Sequence, residues 1–224
     1  MKLNIQLFVL SAIFALPTAA FADCSPYPDQ QDYYFSSGSM NHNIIPPPPA
    51  DGSPEDRADL GAVRDWSRTR SQAQCQAFQT QKAAQLRTFF SRLPVALSPE
   101  NERTFCRVAS DISKAVGVLK DKYGRLRPPA RDSSIRTCPG GSAGGQAYPS
   151  GHAALSRAYA RVLAEIDPAN QETYFAEAKQ AGLNRVIGSV HHPLDVIHGA
   201  ELADKIVDEM LKNPSFRSDL KAIK

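Results

Sequence analysis

The chain has 224 residues, 42% of them hydrophobic, and its 26 Lys and Arg against 23 Asp and Glu give a formal net charge of +3. That near balance argues against nucleic acid or a membrane surface as a partner. The length suits one domain with a sizeable core.

Lys2, the apolar run from Leu7 to Leu16 and the small-residue pattern Ala20-Phe21-Ala22 read as a secretory signal peptide over 1–22. Ten apolar residues fall far short of the roughly 20 that span a bilayer. The expected product is a soluble periplasmic protein. Asp23 before Cys24 argues against a lipid anchor there. All four cysteines, Cys24, Cys75, Cys106 and Cys138, follow the expected cut. An even number in an exported chain suggests two disulfides, with three pairings open.

Residues 23–52 form a polar, Pro-rich segment ending in Pro46-Pro47-Pro48-Pro49, read as extended polyproline wrapped over the domain. From residue 53 to 224 the pattern is helical. Ser53-Pro54-Glu55-Asp56 supplies an N-cap, a proline at the first position and acids in the first turn. Ser71 and Gln74 look like a capping box that opens a second helix towards Leu93, stopped by Pro94. Ser98-Pro99-Glu100 starts a third, carrying Phe105, Val108, Ile112, Val116 and Leu119 at helical spacing. Further helices are expected over about 152–166, 171–187 and 193–211, with a short one after Pro214. No alternating run argues for a strand, so the expected fold class is all-α, a single-domain helical bundle.

Three clusters between helices carry candidate chemistry. Lys120 and Arg127 are seven residues apart, which on a continuous helix would put two cations on one face. The ordinary structural reading is a basic helix end. The stretch from Gly144 to His152 is a glycine-rich loop running into a helix, where backbone N–H groups at Ser150 and Gly151 can bind an anion. Capping alone would explain Ser150, but it would not explain His152 at that positive mouth. The third cluster holds Arg185, His191 and Asp195. A carboxylate four residues after His191 can take one ring N–H and leave the other nitrogen as a nucleophile or base. His192 and His198 weaken this signal, since some of three neighbouring histidines should be incidental. A His-rich metal site is the competing reading, and no matching carboxylate pair supports it.

Together, Lys120-x6-Arg127-Pro128, Pro149-Ser150-Gly151-His152 and Arg185-x5-His191-x3-Asp195 resemble the three-part signature of the type 2 phosphatidic acid phosphatase superfamily. Within it the chain is similar to the bacterial class A non-specific acid phosphatases. It departs from them at Asn184, Ala147 and Ala153, which stand where serine, serine and threonine are usual. His192-Pro193-Leu194 replaces the usual Trp-Gln-Ser.

The resemblance implies a broad-range acid phosphatase acting on small phosphomonoesters, with no cofactor and no metal, and leaves phosphotransfer and homo-oligomer formation open. It implies that His191 is the nucleophile, forming a phosphohistidine, that Asp195 orients it and that His152 is the general acid. Lys120, Arg127, Ser150, Gly151 and Arg185 would bind the phosphate. The alternatives are a vanadate-dependent haloperoxidase, a membrane lipid phosphatase and a non-catalytic phosphate-binding protein. The short chain, the lack of a spanning segment, and the paired histidines argue against these three in turn.

Overall fold

The computed structural model describes residue 24 and residues 31–93 and 98–223. The expected leader and the expected stop at Pro94 lie outside them. Among the described residues there are helices and no strand, only one isolated antiparallel bridge between Leu126 and Gln146. The fold is all-α.

Helix α1 (Pro54–Thr69) begins as its sequence signals require, with Ser53 Oγ accepting the Asp56 N–H at 3.1 Å and Pro54 at the first position. Helix α2 (Gln72–Thr80) opens on the reciprocal Ser71–Gln74 box. It does not run on to Leu93. The chain turns at 81–85, with Ala84 in the left-handed region, and a single further turn follows as α3 (Leu86–Phe89). In the turn, the Lys82 carbonyl faces the His152 ring and Gln81 accepts the Asn184 side-chain amide at 2.8 Å. A continuous helix would have committed that carbonyl to its own ladder.

Helix α4 (Pro99–Tyr123) is closed by Gly124, a left-handed residue whose N–H returns to the Lys120 carbonyl. Lys120 and Arg127 therefore do not share a helix face. Past Gly124 the chain reverses, Arg125 accepts the Ala147 N–H through its carbonyl, and Arg127 becomes the N-cap of the short α5 (Pro128–Arg131).

Helix α6 (Gly151–Ile166) is the centre of the bundle and buries Ala153, Ala154, Ala158, Tyr159, Ala160, Val162 and Leu163. Its alanines let α7 (Gln171–Ile187) and α8 (Pro193–Met210) approach closely, with α4 on another side. Helix α9 (Pro214–Ile223) lays Phe216, Leu220 and Ile223 on the same core. The expected apolar stripe of α4 faces inward, with Phe105, Ile112 and Leu119 at 1% exposure or less. Each contributes roughly 1.5–3 kcal/mol by burial.

The segment at 31–52 is tied across the bundle. The buried Asp111 carboxylate accepts the N–H groups of Tyr33, Tyr34 and Phe35, while Lys122 and Tyr123 reach the His42 carbonyl and Tyr148 that of Pro46. Two disulfides, Cys24–Cys106 and Cys75–Cys138, settle the pairing.

A close helix contact lies at the start of α6. A Cβ on Gly199 of α8 would sit 2.5 Å from the Ser150 carbonyl oxygen and 3.3 Å from the Ala153 Cβ. Gly199→Ala should therefore push α8 off the α6 N-terminus and cost about 1–3 kcal/mol in a denaturant titration. An unchanged unfolding midpoint would show that this contact is slack.

Candidate active site

His191 is placed by the end of α7. The Ser189 N–H bonds the Val186 carbonyl at 2.8 Å and the Val190 N–H bonds the Arg185 carbonyl at 3.1 Å. That pair of bonds is a Schellman closure, which reverses the chain and satisfies the last helical carbonyls. The left-handed residue it needs is Ser189, with φ 59°, where glycine is usual. A non-glycine residue held there is strained. Arg70 holds it, donating to both Ser189 Oγ and the Ile187 carbonyl.

Around His191 stand three cations from three elements. Lys120 comes from the last turn of α4, Arg127 from the cap of α5, and Arg185 from the last turn of α7. Their charges act on one another. Burial first and then Arg127 pull the Lys120 ammonium down to about 8, and the same two causes lower Arg185. Lys120 also donates to the Gln146 carbonyl, which ties α4 to the glycine-rich loop. Ser150 caps α6 and is fully buried; its N–H donates to the Asp195 carbonyl at 2.8 Å. Gly151 and His152 are the first two helical residues, so their N–H groups have no partner within the helix.

His191 is 2% exposed, and burial, followed by Lys120 and Arg127, holds its imidazole neutral with a pKa of about 3 against the opposing pull of Asp195. Its Nδ1 lies 3.6 Å from Asp195 Oδ2, an ion-pair distance that is too long for a hydrogen bond. The oxygen is taken instead by His192, whose backbone N–H and Nδ1 approach it at 2.7 and 2.8 Å. His192 Nε2 faces an Arg131 N–H at 3.1 Å. An arginine only donates, so Nε2 must accept and Nδ1 must donate: His192 is a fully buried ring with both nitrogens occupied. It is neither incidental nor free to act as a nucleophile.

The other Asp195 oxygen accepts from Arg125 at 2.7 Å. Arg125, only 3% exposed in its side chain, also pairs with Asp56 at 3.0 Å and Asp59 at 2.8 Å. Asp56 binds Arg131 as well, and Asp59 accepts the Leu194 N–H at the start of α8. Burial alone would raise Asp195, but the two histidines outweigh it and hold the carboxyl far below the usual range.

His152 is partly exposed, and its Nε2 lies 3.2 Å from the Lys82 carbonyl, an acceptor, so that nitrogen donates. Burial, then Arg185 and His191, push its pKa well below the usual histidine value. Of the residues expected from the sequence, Lys120, Arg127, His152, Arg185, His191 and Asp195 interact electrostatically in a connected set, and Ser150 joins it through the Asp195 carbonyl. The sequence reading missed Arg125, Asp56, Asp59 and Arg131; of these, Arg125 had a signal, standing two residues before Arg127 in Arg125-Leu126-Arg127-Pro128. His198 is outside the site, paired with Glu201 and against Tyr148. Among the described residues no group of three His, Cys, Asp or Glu is arranged to hold a metal, and no helix is long and apolar enough to cross a membrane.

Residues 105–203 match the PAP2 superfamily. The chain is 32% identical over 137 residues to a non-specific acid phosphatase of Providencia stuartii, an alignment covering 57% of this chain and 53% of that one. The chain thus spans about half the length of the curated relative it matches. Its fold is similar to that of a bacterial vanadium-dependent chloroperoxidase, with a TM-score of 0.58 and 10% identity over 85% of this chain and 54% of the other. At that identity the likeness concerns the fold alone.

Replacing Arg125 leaves three carboxylates without their shared cation. Arg125→Met should destabilise the protein by about 3–5 kcal/mol in a denaturant titration, and Arg125→Lys should not restore the loss, because one ammonium cannot reach carboxylates on two helices in a planar fork. A loss below about 1 kcal/mol would mean that the network is stabilised elsewhere.

Proposed function

We propose, from the match of residues 105–203 to the PAP2 superfamily, that the chain is a member of that superfamily and an exported acid phosphatase, hydrolysing small phosphomonoesters by way of a phosphohistidine on His191. The observation that carries this reading is a buried, neutral imidazole, His191, on which the cations Lys120 and Arg127 act, with Arg185 buried beside Arg127. Such a cage suits an oxyanion whose charge spreads over three equatorial oxygens as the phosphoryl group is transferred. Two disulfides and the leader sequence support export.

Lys120, Arg127 and Arg185 would clamp the phosphoryl oxygens, with the Ser150 hydroxyl and Gly151 N–H as further donors. The neutral His191 nitrogen attacks phosphorus as the ester oxygen leaves, and Asp195 stabilises the positive ring that results. His152 gives its proton to the departing alcohol and then takes one from the water that cleaves the phosphohistidine. These protein groups complete the cycle without a metal.

Two variants, chelation and one inhibitor test the roles. Activity towards p-nitrophenyl phosphate should survive exhaustive chelation and be blocked by orthovanadate, a mimic of five-coordinate phosphorus. His191→Ala should form no phosphoenzyme from any ester. His152→Ala should slow single-turnover phosphorylation by an alkyl phosphate about 10²–10⁴-fold, and by p-nitrophenyl phosphate far less, because the phenolate leaves without help. Equal slowing of both esters would remove His152 from the acid role.

The pH dependence of phosphate binding tests the cage itself. Free Lys120 loses its proton above about pH 8, whereas a bound dianion would hold the proton on. Between pH 8 and 9.5 the dissociation constant of inorganic phosphate should therefore rise by up to about tenfold per unit. In Lys120→Met binding should be weak throughout, and the slope that sets in near pH 8 should be gone. A slope that survives the substitution would exclude Lys120 as its cause.

A further inference from the structure

We propose that Phe78 is a positioning residue of this phosphate site, the face of its ring holding the Arg185 guanidinium where an oxyanion can be gripped. The inference rests on the phosphatase reading and deepens it, adding a residue that does not touch the substrate.

The argument begins with what holds a buried arginine in place. Arg125 is held by three carboxylates, and Arg70 by two backbone carbonyls and a hydroxyl. Neither device would suit Arg185. A carboxylate would cancel the charge that the anion is to meet, and carbonyl partners would occupy the N–H groups that the anion is to use. Arg185 is 6% exposed, its Nε and Nη1 have no hydrogen-bond partner among the described residues, and Arg127 repels it. Its guanidinium carbon lies 4.1 Å from the centroid of the Phe78 ring. An aromatic face attracts a guanidinium and fixes its plane without consuming a single N–H.

The surroundings show a ring held in place from several sides. Phe78 is 1% exposed and packs with Val190 and the two half-cystines Cys75 and Cys138. Cys75 lies one turn before it on α2, and its disulfide partner Cys138 donates its backbone N–H to the Gly188 carbonyl at 3.2 Å. On the α7 side the ring needs a residue with no side chain. A Cβ on Gly188 would fall 2.2 Å from Phe78 Cδ2 and 2.4 Å from Cε2. The turn that delivers His191 and the helix end that delivers Arg185 thus close on the same ring.

The test is calorimetric titration of the mature, disulfide-bonded protein with inorganic phosphate at pH 7, beside hydrolysis of p-nitrophenyl phosphate. Phe78→Leu should weaken phosphate binding about three- to thirtyfold, the range expected for loss of a desolvated cation–π contact. Phe78→Tyr, which keeps the face, should bind nearly as wild type. In an Arg185→Lys background, Phe78→Leu should weaken binding by no more than about twofold further, since its effect runs through the guanidinium. Equal losses in both backgrounds would assign Phe78 a purely structural role and overturn the proposal.

If Phe78→Leu fails to fold, fluorinated phenylalanines incorporated at position 78 keep the shape while weakening the negative ring face. Affinity should then fall stepwise with fluorine number, and affinity indifferent to fluorination would overturn the proposal. A wild-type protein that neither binds phosphate nor hydrolyses the ester would refute the phosphatase reading and this inference with it. Normal wild-type binding with unaffected variants would refute the inference alone.

Discussion

One buried cation organises the functional end of the bundle. Arg125 pairs with Asp56 and Asp59 from α1 and with Asp195 from α8, at 3.0, 2.8 and 2.7 Å. Removing one partner from such a cluster leaves an uncompensated charge in a poorly solvated place, which makes the geometry stiff. That stiffness is transmitted. Asp59 also caps the start of α8 through the Leu194 N–H, Asp195 reaches back through its carbonyl to Ser150 at the head of α6, and Asp56 holds Arg131 against His192. The N-termini of α6 and α8 and the turn after α4 are therefore set relative to one another by charge as well as by packing.

The same end of the molecule concentrates positive charge, which costs stability. Burial and mutual repulsion lower both Lys120 and Arg185, and Ser189 occupies a backbone region that suits glycine. None of this strain is relieved inside the site. It is balanced around it, by the Arg70 grip on the Ser189 turn, by the disulfide from α2 to Cys138, and by the alanine-lined packing of α6 against α7 and α8. A protein that buries cations beside one another needs such a frame, because the cations themselves push the walls apart.

What the sequence made legible was local. Ser53-Pro54, Ser71 with Gln74, and Ser98-Pro99 start helices where they stand, because capping is decided within four residues. The all-α class followed from periodicity, and the structure has it. The second helix was drawn too long because nothing in 81–93 announces that the Lys82 carbonyl and Gln81 side chain are used by residues about 70 and 103 positions away. Lys120 and Arg127 were brought together for the wrong reason: Gly124 ends the helix between them, and a chain reversal brings Arg127 back. Asp56 was read only as an acid in a first helical turn, which it is, yet its larger part in the ion network depends on partners 69 and 75 residues on. The sequence does not tell His192 apart from its neighbouring histidines, because neither its burial nor its two partners can be inferred from its neighbours in the chain.

The two histidines of the site differ less in charge environment than in access to water, and on the proposed reading access assigns their roles. Burial is the leading cause that lowers both, and Arg127 acts on each of them. Electrostatics alone would therefore make both rings neutral and leave the site without an acid. His191, however, is sealed at 2% exposure beside Asp195, so it remains an unprotonated nucleophile until phosphorus itself brings positive charge onto the ring. His152 is partly open and sits at the mouth of α6, with only the Lys82 carbonyl on its Nε2. A dianionic ester in the cage would offset the cations that suppress its pKa, and solvent could supply the proton there and nowhere deeper. On that reading the acid would be charged only when substrate is present, and the cations that keep His191 unprotonated would be those that the substrate neutralises.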